Sequence, residues 1–87
     1  MPHRSDQDSS MLLDVRNPEE FAVWHLEGAR NVPVQELSTR LHELGPRDRP
    51  VAVYCRSGRR SALAKILLEA HGFARVWDLG GTEGLQT

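Results

Sequence analysis

Cysteine is nearly absent from this chain, since Cys55 is the only one among 87 residues. A lone cysteine cannot form a disulfide within its own chain, which excludes a secreted scaffold held together by such bonds and favours a reducing compartment. The first ten residues are polar and lack the apolar centre of a signal peptide. These features together predict a cytoplasmic protein.

The sequence also lacks long apolar runs and a large excess of either charge. No apolar stretch approaches the ~20 residues of a membrane-spanning helix, so we expect no membrane insertion. Eleven basic and twelve acidic residues give a formal net charge of -1, whereas binding to nucleic acid usually needs a strong basic excess. The histidines are scattered without metal-ligand spacing, and neither a metal nor an organic cofactor is implied.

What is present is typical of one small globular domain. With 39% apolar and 26% charged residues, the chain is long enough to bury a single modest core. We predict a flexible lead-in over residues 1–10 and a single domain over residues 11–87.

Segments of strand length alternate with segments of helical spacing. Short apolar runs predict four strands, at Met11–Val15, Arg30–Val32, Val51–Tyr54 and Val76–Leu79. A proline followed by acidic residues predicts a first helix from Pro18 to Trp24. Apolar residues at helical spacing predict two more helices, one carrying Val34, Leu37, Leu41 and Leu44 and ending at Gly45-Pro46, the other with an apolar face of Ala62, Leu63, Ile66, Leu67 and Ala70 and ending near Gly72. This alternation predicts an α/β fold of parallel βαβ units.

The chemistry is expected in the loop between the clearest strand and the clearest helix, Cys55-Arg56-Ser57-Gly58-Arg59-Arg60-Ser61. Ligands of parallel sheets bind beyond the carboxyl ends of the strands, and Cys55 lies at such an end. The glycine permits a tight curl, and free N–H groups at the start of the following helix suit an anion such as a thiolate. A helix N-terminus and nearby arginines lower the pKa of a thiol from its usual ~8.5. We therefore predict a reactive Cys55, with the three arginines attracting an anionic sulfur donor.

Plainer interpretations of the same residues stay open. A single cysteine in a cytosolic protein is more often an inert buried side chain than a nucleophile. Arg56 and Arg59 could each be solvated surface charges that contact no substrate.

Five segments, taken in order along the chain, resemble the pattern of the rhodanese-like domain over roughly residues 11–81: Asp14-Val15-Arg16, Glu20-Phe21, His25-Leu26-Glu27-Gly28-Ala29-Arg30-Asn31-Val32-Pro33, the loop from Cys55 to Ser61, and Leu79-Gly80-Gly81. The resemblance implies a three-layer α/β fold with a central, mainly parallel sheet flanked by helices. It also implies a sulfurtransferase in which Cys55 accepts sulfane sulfur from a donor such as thiosulfate, holds it as a persulfide and passes it to cyanide or a thiol. By the same resemblance, the backbone of the loop binds the substrate, through Arg56, Ser57, Gly58, Arg59, Arg60 and Ser61.

Loop length distinguishes this function from that of related oxyanion enzymes. Four residues separate Cys55 from Arg60 in this chain. In rhodanese-related phosphatases and arsenate reductases, five residues separate the cysteine from the arginine that binds the oxyanion. A tighter loop suits one sulfur atom better than a tetrahedral phosphate, and no convincing general acid is present, since Asp14 and Asp78 are expected to be structural. A phosphatase or arsenate reductase is therefore the less favoured alternative. The other alternative is a sulfur-relay or regulatory binding module that works with a donor or acceptor protein.

Several residues outside the loop carry more local expectations. His25 could be a base for Cys55, but the resemblance implies an architectural imidazole. Arg16 and Glu20 are expected to pair across the turn after the first strand. Trp77 is expected in the core, and Trp24 is either exposed near the site or packed locally.

The chain departs from the family pattern at both ends. The family usually has an additional strand and short helix before the Asp14 segment, and more helix beyond the glycine pair. We expect an edge strand or covering helix to be missing, which exposes apolar surface that a partner or a second copy, forming a homodimer, could bury.

Overall fold

The computed structural model describes residues 10–83. The predicted lead-in, apart from Ser10, and the end of the predicted domain at residues 84–87 lie outside the described residues. The elements follow one another in the order β1 (Met11–Asp14), α1 (Pro18–Val23), β2 (Arg30–Asn31), two 3-10 helices (Val34–Thr39 and Leu41–Leu44), β3 (Val51–Cys55), α2 (Arg59–Ala70) and β4 (Val76–Gly81).

The strands form one sheet in the order β2-β1-β3-β4, and every pairing is parallel. The predicted α/β fold, a parallel sheet flanked by helices, is confirmed. Asp14 pairs with Tyr54, so the carboxyl ends of β1 and β3 meet at the same edge of the sheet. This register brings the turn after β1 close to Cys55, the last residue of β3.

The core lies on the face of the sheet that α2 and the 3-10 helices cover. Alternate strand residues point to it because side chains of a strand alternate between the two faces, and Leu13, Val51 and Val53 are fully buried there. Cys55 continues the alternation of β3 and belongs to the same cluster. The alternation therefore carries the thiol beneath the start of α2.

The prediction that Trp77 lies in the core is wrong, since its side chain is 51% exposed. Trp77 pairs with Ala52, one position out of step with the buried Val51 and Val53, and so belongs to the face opposite α2. Within residues 10–83 that face stays partly open at β4, where Leu79 is exposed as well.

The single helix predicted between residues 34 and 44 is two 3-10 helices. Val34 and Leu37 are three residues apart, as are Leu41 and Leu44, and three residues is the repeat of a 3-10 helix. Arg40 separates the two turns, with φ -121° and ψ 19°. The apolar spacing thus indicates helical turns at these residues, but the turns do not form one continuous α-helix.

The buried face of α2 also differs from the predicted one. Its buried residues are Ser61, Ala64 and Leu68, whereas Leu63 and Ile66 are exposed. The hydrogen bond between the Ser61 N–H and the Cys55 sulfur places Ser61 on the side of α2 that faces the core. Ala64 and Leu68, three and seven residues later, lie on the same side of the helix.

Candidate active site

The Cys55 side chain is fully buried, and polar groups of the following loop surround its sulfur. The backbone N–H of Gly58 donates to Sγ at 3.0 Å and that of Ser61 at 3.2 Å. The Ser61 hydroxyl lies 3.5 Å from Sγ and 3.2 Å from the Gly58 carbonyl oxygen, so its single proton can point to either. The sulfur is thus buried among hydrogen-bond donors, not in a purely apolar pocket.

Gly58 sets the direction of these donors. It precedes the first residue of α2 with φ 98°, a left-handed conformation that side chains with a Cβ rarely adopt. This turn reverses the chain above Cys55, so that N–H groups at the start of α2 point back toward the end of β3. A helix start has such free N–H groups because they have no carbonyl partner one turn earlier.

The segment after β4 holds the loop from behind. The backbone N–H and the hydroxyl of Thr82 donate to the Cys55 carbonyl oxygen at 2.9 and 3.2 Å, and the N–H of Glu83 donates to the Arg56 carbonyl oxygen at 3.0 Å. Two loop carbonyls thereby have hydrogen-bond partners in the segment after β4. Thr82 is buried, and the sequence reasoning did not identify it; its position directly after the glycine pair was the only available signal.

Gly81 permits the close approach between β4 and the loop. A Cβ built at this position would lie 2.7 Å from the carbonyl carbon of Ser57 and 2.8 Å from its Cα. Because real Cβ atoms essentially never come this close to backbone, any larger residue requires the loop to shift.

The Arg60 side chain forms an ion pair with a residue outside the loop. Its guanidinium donates to the two carboxylate oxygens of Glu20 at 2.7 and 3.1 Å. The expected pair between Arg16 and Glu20 is therefore wrong, because Arg16 instead binds Asp14 two residues earlier. Substrate binding by Arg60 stays a prediction: its side chain pairs with Glu20, whereas its backbone N–H lowers the pKa of the Cys55 thiol.

The other two arginines of the loop are exposed. Within residues 10–83, the guanidinium groups of Arg56 and Arg59 make no hydrogen bond or ion pair, and the Ser57 side chain is exposed as well. The structure thus brings the amides of the predicted loop to the sulfur and leaves two cationic side chains at its rim.

The turn after β1 is held by a buried ion pair. Arg16 donates to the carboxylate of Asp14 through its backbone N–H and its guanidinium, with the shortest contact at 2.7 Å. The guanidinium also donates to the Trp24 carbonyl oxygen and lies 5.7 Å from the ring centroids of Trp24 and Tyr54. Trp24 is therefore half-buried and packs locally against Arg16.

His25 and Asp78 make local contacts and do not contact Sγ. The His25 ring stacks on Phe21 with centroids 3.7 Å apart, and its Nδ1 donates to the Phe21 carbonyl oxygen at 2.8 Å. The carboxylate of Asp78 accepts the N–H of Gly80 at 2.8 Å. These contacts fit the structural roles expected of both residues.

The net electrostatic effect of the site is to lower the pKa of the Cys55 thiol below its ordinary value. Burial, the largest single influence, raises the pKa. The hydroxyl and N–H of Ser61 and the N–H groups of Gly58 and Arg60 lower it, and together they exceed the effect of burial. The site therefore favours the thiolate, the nucleophilic form of cysteine.

Residues 10–83 contain no cluster of three or more histidine, cysteine or acidic side chains that could hold a metal ion. In the same part of the chain, no helix has the length and apolar character needed to cross a membrane.

Comparison with known proteins gives consistent matches. The family model described as the rhodanese-like domain matches residues 2–87. The chain is 36% identical over 74 residues to the thiosulfate sulfurtransferase PspE of Escherichia coli, covering 84% of this chain and 71% of PspE. It is 37% identical over 78 residues to the Bacillus subtilis protein YqhL, covering 90% of this chain but only 61% of YqhL, less than two thirds of that relative's length. A solved structure described as a rhodanese with anions from E. coli is 35% identical and superposes with a TM-score of 0.80 over 85% of this chain and 88% of the other.

Proposed function

We propose that this chain, which belongs to the rhodanese-like domain family, is a sulfurtransferase that carries sulfur as a persulfide on Cys55. The observation that carries the proposal is the convergence of the Gly58 and Ser61 N–H groups on the Cys55 sulfur at 3.0 and 3.2 Å. The same donors that stabilise a thiolate can stabilise the terminal sulfur anion of a persulfide, since both are anions at the start of a helix.

In the first step, the Cys55 thiolate attacks the outer sulfur of a donor such as thiosulfate. A bond forms between Sγ and that sulfur, the bond to the sulfonate sulfur breaks, and sulfite leaves with the electron pair. Arg56 and Arg59, exposed at the rim, attract the doubly charged donor and offset the repulsion between two anions. Because the Cys55 side chain is buried, we expect the exposed residues 56–57 to shift as the donor enters.

In the second step, a nucleophile such as cyanide or a thiolate attacks the outer sulfur of the persulfide. The bond between the two sulfurs breaks, and its electron pair returns to Sγ as the thiolate that begins the next cycle. Neither step needs a metal or an organic cofactor, since each is a displacement at sulfur. The chemistry requires a reduced cysteine, and we therefore propose a cytoplasmic location.

Steady-state kinetics with thiosulfate and cyanide test this proposal. Two displacements that share one covalent intermediate give ping-pong kinetics, seen as parallel double-reciprocal lines. Thiocyanate and sulfite should form in equal amounts, and Cys55→Ala should abolish both. Intersecting lines, or unchanged turnover in Cys55→Ala, would rule out a Cys55 persulfide as the obligatory intermediate.

A sulfur relay with a partner protein is the second candidate, and the surface of α2 favours it. The exposed Arg59 begins this helix, and Leu63 and Ile66, four and seven residues later, are 48% and 63% exposed on the same side. A cationic rim continued by apolar side chains fits a protein with acidic residues around its own sulfur-bearing cysteine. Slow turnover with thiosulfate and cyanide but fast persulfide exchange with such a protein would favour the relay, whereas fast turnover with the small molecules would favour the enzyme.

A further inference from the structure

The ion pair between Glu20 and Arg60 connects two elements that are distant in sequence. Glu20 lies in α1 and Arg60 in the first turn of α2, forty residues later. Both oxygens of the carboxylate are used, at 2.7 and 3.1 Å, and both side chains are partly buried, with 27% and 30% of their surface exposed. A two-pronged contact of this kind fixes orientation as well as distance.

Glu20 is itself held in place. Its Oε1 accepts the backbone N–H of Asn17 at 2.9 Å, so that Glu20 completes a capping box at the start of α1. Asn17 directly follows Arg16, whose ion pair with Asp14 is buried. The carboxylate that meets Arg60 is thus fixed to the turn after β1.

Arg60 lies between the two residues whose N–H groups bind the sulfur. Gly58 is two residues before it and Ser61 directly follows it. Any change in the Arg60 backbone alters the direction of the Ser61 N–H. The guanidinium of Arg60 is directed to Glu20, so its positive charge is balanced there.

We propose that Glu20 is a positioning residue, which holds the first turn of α2 through Arg60 so that the backbone N–H groups stay directed at the Cys55 sulfur. The proposal rests on the function given above, because it assigns Glu20 to the site that binds the transferred sulfur. Glu20 does not contact the reacting atoms and is not a catalytic residue.

Loss of the Glu20 carboxylate would have two opposite effects on the Cys55 thiolate. Removing a negative charge and releasing the guanidinium would favour the thiolate and lower the pKa of the thiol. Loosening the first turn of α2 would weaken the N–H contacts at 3.0 and 3.2 Å and raise this pKa. We expect the second effect to be larger, because these donors touch the sulfur directly, while the charge of a partly exposed pair is screened by solvent.

The experiment compares Glu20→Gln with the matched control Glu19→Gln, which removes the neighbouring exposed carboxylate of the same helical turn. The rate of alkylation of Cys55 by iodoacetamide is measured against pH on the full chain. Cys55 is the only cysteine, so the signal has one source. We expect Glu20→Gln to raise the pKa of Cys55 and, at pH values below that pKa, to slow alkylation about fivefold, as for a weakened hydrogen bond to a charged group. Glu19→Gln should match the wild type.

A pKa of Cys55 that is unchanged or lowered in Glu20→Gln overturns the proposal, since a purely electrostatic role lowers it and a purely stabilising role leaves it unchanged. Should Glu20→Gln fail to fold, Glu20→Asp keeps the charge but withdraws the carboxylate by one methylene group, and the same upward shift is expected. Alkylation does not require sulfur transfer. A wild type that takes no sulfur from thiosulfate therefore removes the proposed function without removing the measured role of Glu20.

Discussion

Replacing Ser61 by alanine removes one donor from the sulfur site and little else. Ser61 is fully buried, and its hydroxyl lies 3.5 Å from Sγ. A hydrogen bond to a charged group contributes about 1.5–3 kcal/mol. Since this contact is long and the hydroxyl can also bond the Gly58 carbonyl oxygen, the lower end applies, which corresponds to about one pKa unit. We predict that Ser61→Ala raises the pKa of Cys55 by about this amount and lowers the thiolate fraction below that pKa about tenfold.

The ultraviolet absorbance of the thiolate, followed against pH, measures this directly, since no other cysteine contributes. Ser57→Ala is the matched control, because Ser57 is an exposed serine of the same loop whose hydroxyl does not contact the sulfur. The pKa of Cys55 in Ser57→Ala should equal that of the wild type. The backbone N–H of residue 61 is retained in Ser61→Ala, so its own lowering effect on the pKa of Cys55 should persist. A pKa that stays constant or falls in Ser61→Ala would refute the assignment of the hydroxyl as a thiolate donor.

Three further predictions follow from other contacts. Gly81→Ala should destabilise the fold by about 1–3 kcal/mol through overpacking, which lowers the melting temperature, and should reduce the rate of sulfur transfer. A wild-type melting temperature together with a wild-type rate would contradict the close approach of β4 to the loop. Arg16→Met should cost about 3–5 kcal/mol in urea unfolding, because it leaves a buried carboxylate without its ion-pair partner. Arg40→Met breaks two partly exposed ion pairs, the shorter of which is also 2.7 Å long, and should cost much less; equal losses would refute this role of burial. Hydrogen bonds from Arg60 lower the pKa of Glu20 from 4.5 to about 2, so the stability that the ionised carboxylate contributes is complete above pH 4.5 and is lost as the pH falls through about 2. In thermal melts, the difference in melting temperature between the wild type and Glu20→Gln should therefore shrink over that range, and a constant difference would contradict this prediction.

The features that depend on local pattern could be predicted from the sequence. Strands that are continuous and apolar, such as the one ending at Cys55, are visible because a buried parallel strand has no polar face. The position of Gly58 between such a strand and a helix also predicts the turn that directs amides to the thiol. Both depend on neighbours in sequence, and both agree with the structure.

The features that depend on distant partners could not be predicted. Sequence proximity predicts an ion pair between Glu20 and Arg16, four residues away. Glu20 instead pairs with Arg60, forty residues away, because the parallel register of β1 and β3 brings α1 to the start of α2. Trp77 has the apolar character of a core residue, yet its position one step from Val76 places it on the less covered face. Thr82 has no local signature, since its role is to bind a carbonyl 27 residues earlier.

The intact mass of the chain after exposure to thiosulfate tests the central claim most directly. We predict that the wild type gains the mass of one sulfur atom, that cyanide removes it with release of thiocyanate, and that Cys55→Ser gains nothing. A wild type whose mass stays the same, or an equal gain in Cys55→Ser, would contradict the account of Cys55 as the sulfur carrier.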